Sequence, residues 1–242
     1  MNRLRFVLAM LSLPFLASKN GFTASLQISP VSVDIPAPAL TTTVTLRNLD
    51  PAPITAQMRI FKWTQIDGKD VLQPTQDVVA SPPSESLENG KPYTIRIVRL
   101  SHAPVIAEES YRLIIDQTSN FDPNDVAGVN LSIRYSIPVF FSRSSTAPKI
   151  VWKASMLGDE ILLTGQNLGQ KRMRISDLIV QGANGSTASL GNGLAGYILR
   201  KASMQFKLSA TTIDFASSPV LVLKFQRDNY LTQVVAPIDR RN

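Results

Sequence analysis

The chain contains no cysteine and a single histidine, His102. Without thiols it has no disulfide framework, no cysteine metal site and no cysteine nucleophile. One histidine has no second to share a metal with, and His102 lies in LSHAP, a proline-punctuated stretch that reads as a loop. Charge is also sparse, at 18% of residues. The balance is basic, +7 overall, but the basic residues are scattered, with no run beyond Lys171-Arg172 and Arg240-Arg241. With no basic stripe and no stacking motif, this pattern argues against a nucleic-acid partner. The glycines Gly191, Gly193 and Gly196 in LGNGLAGY follow no strand–helix unit, so they make no phosphate loop, and no GxSxG nucleophile setting is present. Glu108-Glu109 is a carboxylate pair, but adjacent strand residues face opposite sides, so the pair reads as the solvated start of a strand. Asp122, Asn124 and Asp125 in NFDPND lack the glycine and glutamate positions of a calcium loop and read as a turn. The sequence therefore offers no catalytic constellation, no metal set and no cofactor motif, and the expectation is a non-enzyme.

What is present begins at the N-terminus. Two arginines within Met1–Arg5 precede the apolar run FVLAMLSLPFLA and the polar stretch SKNGFTAS. That order is the charged, apolar, polar order of a secretory leader, expected over residues 1–24. The run is too short to span a bilayer, and no other segment is long and apolar enough, so the expectation is an exported protein that is not membrane-embedded. An exported chain without disulfides must rely on its core, which suffices at roughly 100 or more residues per domain.

The remainder reads as strands and turns, an all-β chain. Ser25–Ile35, Thr41–Leu49, Ile54–Trp63, Asp77–Ala80, Tyr93–Leu100 and Tyr111–Asp116 alternate or are β-branched. Asp50-Pro51, Asp67-Gly68, Pro82-Pro83 and Asn89-Gly90 punctuate them. The stretch GVNLSIRYSIPVFF, residues 128–141, supplies the last of these seven strands, with Val129, Leu131, Ile133, Tyr135 and Ile137 on one face. This spacing suits a sandwich domain over residues 25–143. Ser142–Pro148, SRSSTAP, is polar and small, a linker. Eight further strands, from Ile150 to Val235, make a second β-sandwich domain over residues 149–242.

Several stretches resemble the periplasmic pilus chaperones of the chaperone–usher pathway: ISPVSVDI; VTLRNLDPAPI and the segment onward through the SPP block to YTIRI; EESYRL; IRYSIPVFF; and, in the second domain, ILLTGQNLGQKRMRISDLIVQG followed by GLAGYIL. The resemblance covers nearly all of the chain after the leader and is nearest the archaic, or spore-coat-U-type, branch. It implies two immunoglobulin-like β-sandwich domains in a boomerang arrangement. It further implies a periplasmic location, no cofactor, and pilin subunits and an outer-membrane usher as partners. In that family the chaperone completes an unfinished pilin sandwich with its own edge strand, a form of β-strand addition. By position the lent strand is Val129–Tyr135, with Val129, Leu131, Ile133 and Tyr135 as plugs, while Ile137 and Val139 stay in the chaperone's own core. Each fully buried aliphatic plug contributes roughly 1.5–3 kcal/mol of transfer energy, before the costs of association.

One departure stands out. Better-known members clamp the subunit's C-terminal carboxylate with a basic residue on the first strand and another on the last. The corresponding positions here are Pro30 and Pro138, which carry no charge and no N–H. The candidates to replace the clamp are Arg112 in EESYRL, then Arg134 on the polar parity of the lent strand, then Arg96, because a guanidinium grips a carboxylate bidentately. The free protein is a candidate for masking its exposed strand by self-association. The alternatives are an exported carbohydrate- or protein-binding sandwich, which would present a cluster of exposed aromatics, and a hydrolase on a sandwich scaffold. The only two tryptophans, Trp63 and Trp152, instead fall within strand patterns.

Overall fold

Proline breaks the first strand. In the computed structural model, which describes residues 26–119, 133–157, 159–209, 213, 220–227 and 230–239, Leu26–Ser29 (β1) and Val33–Pro36 (β2) are separate strands on either side of Pro30. β1 pairs antiparallel with Thr41–Asn48 (β3), whereas β2 pairs parallel with Ile133–Ser142 (β10) in a different sheet. The expected single strand over Ser25–Ile35 is thus two. The apolar positions already slip from Leu26 and Ile28 to Val33 and Ile35, a change of parity that only a break can accommodate.

Between them run Ile54–Ile66 (β4), Lys69–Pro74 (β5), Val78–Ser81 (β6), Ser84–Leu87 (β7), Pro92–Arg99 (β8) and Glu109–Ser119 (β9). One sheet has the order β1-β3-β8-β6; the other has the order β2-β10-β9-β4-β5, with β7 also on β4. The facing sides of the two sheets enclose Val44, Leu46, Ile95 and Ile97 from one and Ala56, Leu113, Ile115, Val139 and Phe141 from the other, all fully buried. Alternation along β3 and β8 places each second residue in this core, the period of a half-buried strand. The NLDPAPI turn is fastened from within: buried Asn48 donates through Nδ2 to the carbonyls of Ala52 (2.8 Å) and Leu87 (2.9 Å), and its Oδ1 accepts from the Asp50 N–H (2.8 Å).

β10 ends at Ser142 and the next strand begins at Ile150. The second domain comprises Ile150–Leu157 (β11), Glu160–Asn167 (β12), Met173–Gln181 (β13), Thr187–Ser189 (β14), Leu194–Ile198 (β15), Ser203–Ser209 (β16), Val220–Arg227 (β17) and Tyr230–Asp239 (β18). Its strands follow the order β14-β13-β17-β18-β11-β12-β16, with β15 on β13. Trp152, Ile161, Leu163, Ile175, Val180, Phe206, Leu223 and Phe225 form a second, separate core. The chain is therefore two β-sandwich domains. The linker between them is held by Asn167, which is buried. Its Oδ1 accepts from the Lys149 N–H (3.1 Å) and the Gly169 N–H (2.9 Å), and its Nδ2 donates to the Lys171 carbonyl (2.8 Å). A side chain at Gly169 would collide with the linker backbone, 2.5 Å from the nitrogen of Lys149, so only glycine lets the two segments approach this closely.

Candidate functional site

Val139-Phe140-Phe141 is a run of three apolar residues in a strand, which means both faces of β10 are covered at that point. Val139 and Phe141 enter the first core. Phe140 points the other way and joins Trp63 of β4, Tyr197 of β15 and Leu199 in a small buried cluster between the domains. Trp63 and Tyr197 meet edge to face at 5.4 Å, and Phe140 lies 5.8 Å from Trp63 and 5.7 Å from Tyr197, geometries favoured by the ring quadrupoles.

Two polar clasps flank this cluster. Gln65 donates through Nε2 to the Tyr197 carbonyl (2.8 Å) and accepts at Oε1 from the Leu199 N–H (2.9 Å). On the other side, Glu108 is 1% exposed and accepts from the backbone N–H (2.8 Å) and Nη1 (2.5 Å) of Arg172. The second η nitrogen of Arg172 donates to Asp34 of β2, and its guanidinium lies 3.5 Å over the ring of Phe140. Burial pushes the Glu108 carboxyl above its usual range, against the pull of the adjacent Arg172 charge. The expectation of a solvated Glu108-Glu109 pair is thus overturned. Both carboxylates face guanidinium groups, because each strand face at this point is covered: Glu108 by the second domain, Glu109 by Arg99. Glu109 takes a bidentate pair from Arg99 at 2.9 and 2.8 Å, and Arg99 also donates to the Ala103 carbonyl at 2.9 Å. Burial alone would raise the Glu109 carboxyl, but its bonds to Arg99 outweigh that and hold it below the usual range.

The three candidate arginines occupy three different settings. Arg112 of β9 stands in the ladder between Phe61 of β4 and Pro138 of β10. Its guanidinium lies 3.7 Å over the Trp63 ring and 5.8 Å from that of Tyr197. It is half-buried and, among the described residues, has neither an ion pair nor a hydrogen bond. Burial lowers its pKa, with Asp70 pulling the other way, and a guanidinium so placed remains charged. Arg134 is exposed and already engaged, with Nε 2.5 Å from Asp116, a carboxylate it shares with Arg59 at 2.5 Å. The Arg134 hydrogen bond is the main reason the Asp116 carboxyl titrates below its usual range. Arg96 is exposed on β8, opposite Thr43 and Ser81, in the other sheet altogether. Of the three, only Arg112 lies at the junction of the domains, directly across the ladder from Pro138.

β10 pairs with β9 from Ile133 to Phe141, but with β2 only from Val139 to Ser142. From Ile133 to Pro138 its second edge has no strand partner among the described residues, and such an edge is a template for an added strand. Ile133 and Tyr135 are half-buried on the core parity, and burial pushes the Tyr135 hydroxyl's pKa up. Ile137 and Val139 are buried in the domain's own core. Val129 and Leu131 lie outside the described residues, as do Asp122, Asn124 and Asp125. His102 is exposed between β8 and β9.

Sequence reasoning missed Trp63, Phe140, Gln65, Glu108, Arg172 and Tyr197 as a junction. The available signals were the apolar Phe61 and Trp63 on the parity opposite Ala56 and Met58, and the unbroken run at Val139–Phe141.

No curated protein sequence matches the chain. Among solved structures, the chain is similar to a chain of the CsuC–CsuE chaperone–tip adhesion subunit pre-assembly complex from the archaic chaperone–usher Csu pili of Acinetobacter baumannii. The identity is 24%, with 90% of this chain and 100% of that one covered and a TM-score of 0.68. It is also similar to a chain of the SafA pilin–SafB chaperone complex of Salmonella enterica, at 17% identity, 89% and 98% coverage and a TM-score of 0.61. The E. coli chaperone DraB aligns at 20% identity over 88% of this chain and 97% of that one, with a TM-score of 0.58. These likenesses establish the two-domain immunoglobulin-like fold. A family model, "Pili and flagellar-assembly chaperone, PapD N-terminal domain", matches residues 25–146, a range that takes in the first sandwich with β10 and Arg112. The chain belongs to the pili and flagellar-assembly chaperones.

Proposed function

We propose that this chaperone binds a pilin subunit by adding its β10 edge to the subunit's incomplete sheet, with Arg112 holding the subunit's terminal carboxylate. The observation that carries the reading is a coincidence of place. The unpaired edge of β10 stops at Pro138, where β2 takes over the lane, and Pro138 pairs across the ladder with Arg112, a half-buried guanidinium with no acidic partner among the described residues. A strand laid along that lane would finish beside Pro138, across β10 from a guanidinium that no carboxylate engages among the described residues. Main-chain ladder bonds would supply sequence-tolerant affinity, and Val129, Leu131, Ile133 and Tyr135 would fill the subunit's groove. Arg134 and Arg96 are set aside as anchors, since the first is tied to Asp116 and the second belongs to the far sheet.

The family and the leader-like N-terminus support a periplasmic site of action, and the likeness to the Csu chaperone supports the archaic branch. Delivery to an outer-membrane usher, with release when the next subunit's strand replaces β10, completes the proposed cycle. The chemistry of this reading is binding: Glu108 and Arg172 join the two domains as an ion pair, and Arg112 is left for the subunit.

The test is co-expression with a candidate pilin, followed by affinity purification. Leu131→Asp combined with Ile133→Asp puts two charges on the plug face and is expected to abolish recovery of the subunit while leaving the second domain folded. Undiminished recovery would refute the lent strand.

A further inference from the structure

Arg112 is positioned by an aromatic platform that the first domain does not complete alone. Its guanidinium Cζ lies 3.7 Å from the Trp63 ring centroid, and the second ring in reach belongs to Tyr197, in the other domain, at 5.8 Å. Tyr197 is 5% exposed and packs edge to face on Trp63 at 83°, against the same indole that carries Arg112. The backbone of Tyr197 is in turn fixed to the first domain by Gln65. Among the described residues no side chain or carbonyl hydrogen-bonds or pairs with the Arg112 guanidinium, and Asp70 acts on it only through charge at a distance. A guanidinium held only by ring faces keeps all five of its N–H donors directed outward in the plane, which is the arrangement that grips a carboxylate with two parallel bonds. An ion pair inside the protein would instead occupy those donors.

Resting on the reading of Arg112 as the subunit anchor, we infer that Tyr197 is a positioning residue for subunit capture, so that the second domain takes part in recognising the subunit's terminal carboxylate without touching it. Trp63 supplies the face on which Arg112 lies, and Tyr197 fixes the tilt of that face. Removing the ring at position 197 frees the indole and lets the guanidinium leave its plane.

The probe is a synthetic peptide of about ten residues alternating Val and Thr, ready to add to an open strand edge, prepared once with a free C-terminal carboxylate and once as the amide. The quantity read is the ratio of the two affinities, which isolates the anchor from the rest of the strand. The wild type is expected to prefer the free acid, and Arg112→Ala to abolish the preference. Tyr197→Leu is expected to reduce it about fivefold, in the range of one partly desolvated cation–π contact, while Tyr197→Phe, which keeps the ring, retains it. A direct signature accompanies this: the Arg112 Nε–H resonance, shifted by the Trp63 ring current in the wild type and in Tyr197→Phe, moves toward the random-coil position in Tyr197→Leu. If Arg112→Ala abolishes the preference and Tyr197→Leu, folded by circular dichroism, keeps both the preference and the shifted resonance, the platform is refuted and the anchor stands. If the wild type shows no preference, or Arg112→Ala leaves it intact, the anchor itself is refuted, and the inference falls with it.

Discussion

Replacing Arg112 with alanine separates binding from stability in a way that few substitutions in this protein can. In the free chaperone Arg112 satisfies no carboxylate, so its removal strands no buried charge. What is lost is the contact with Trp63 at 3.7 Å, worth about 0.5–2 kcal/mol for a cation over an aromatic face. The relief of a half-buried charge from its desolvation offsets part of that. The expected change in the free protein's stability is therefore within about 1 kcal/mol, a shift of at most roughly 4–8 °C in Tm for a domain of about 100 residues. In the complex the same side chain would make a charge-assisted pair with the subunit's terminal carboxylate, worth about 1.5–3 kcal/mol. That corresponds to about 10- to 150-fold in Kd. Calorimetric melting of the free protein and titration with subunit, run on wild type, Arg112→Ala and Arg112→Lys, measure both sides. Lysine keeps the charge but not the fork, so it should fall between the other two. An affinity unchanged by Arg112→Ala would refute the reasoning, as would a Tm loss that grows to several times the expected shift.

Arg172→Ala and Glu108→Gln should differ although they break the same bridge. The first leaves a carboxylate at 1% exposure without its partner, an error of about 3–5 kcal/mol, read as a lowered Tm and a looser domain junction in limited proteolysis. The second removes a carboxyl that burial already biases toward its neutral form, and should cost much less at neutral pH. Glu109 gives the pH signature. Its folded pKa lies below the usual carboxylate value, so its pair with Arg99 contributes stability that is fully present above that usual value and is lost as pH falls through the lowered one. Melts across pH 7 to about 3 should therefore show a decline in the acid range that is smaller in Glu109→Gln; identical acid limbs would contradict it.

The sandwiches were legible because alternation is a direct image of a half-buried sheet. Val44 and Leu46, or Ile95 and Ile97, announce their strands, and the second domain has eight strands as alternation predicts, although the one read at Tyr197–Leu199 runs instead over Leu194–Ile198. β5 and β7 were not legible, for the converse reason. KDVLQP is exposed at nearly every position, and SESL buries only Leu87, so neither carries a periodic apolar signal; backbone pairing to β4 alone defines them. The lent edge and Arg112 came from resemblance and from the missing charges at Pro30 and Pro138. The junction around them did not, because it is assembled from residues as far apart as Asp34, Trp63, Glu108, Phe140, Arg172 and Tyr197. Nothing in a single sequence says that a tryptophan on one strand and a tyrosine more than a hundred residues later share a wall. Glu108 shows the cost of reading locally: two adjacent glutamates look solvated until the partner of each face is known.

The lane beside β10 has a fixed end. It is open from Ile133 to Pro138 and is then filled by β2, a strand of the chaperone itself running parallel to β10. If a subunit strand occupies that lane running the way β10 runs, it meets a wall at Val33, an end set by covalent structure and not by affinity. The chaperone would thus act as a gauge: a subunit whose chain ends at the wall seats with its last residue beside Pro138, across β10 from Arg112, and one carrying even a short C-terminal extension is held out of register along its whole strand, every side chain displaced from its groove. Completed chains would be told from read-through or tagged ones by length alone, whatever their sequence.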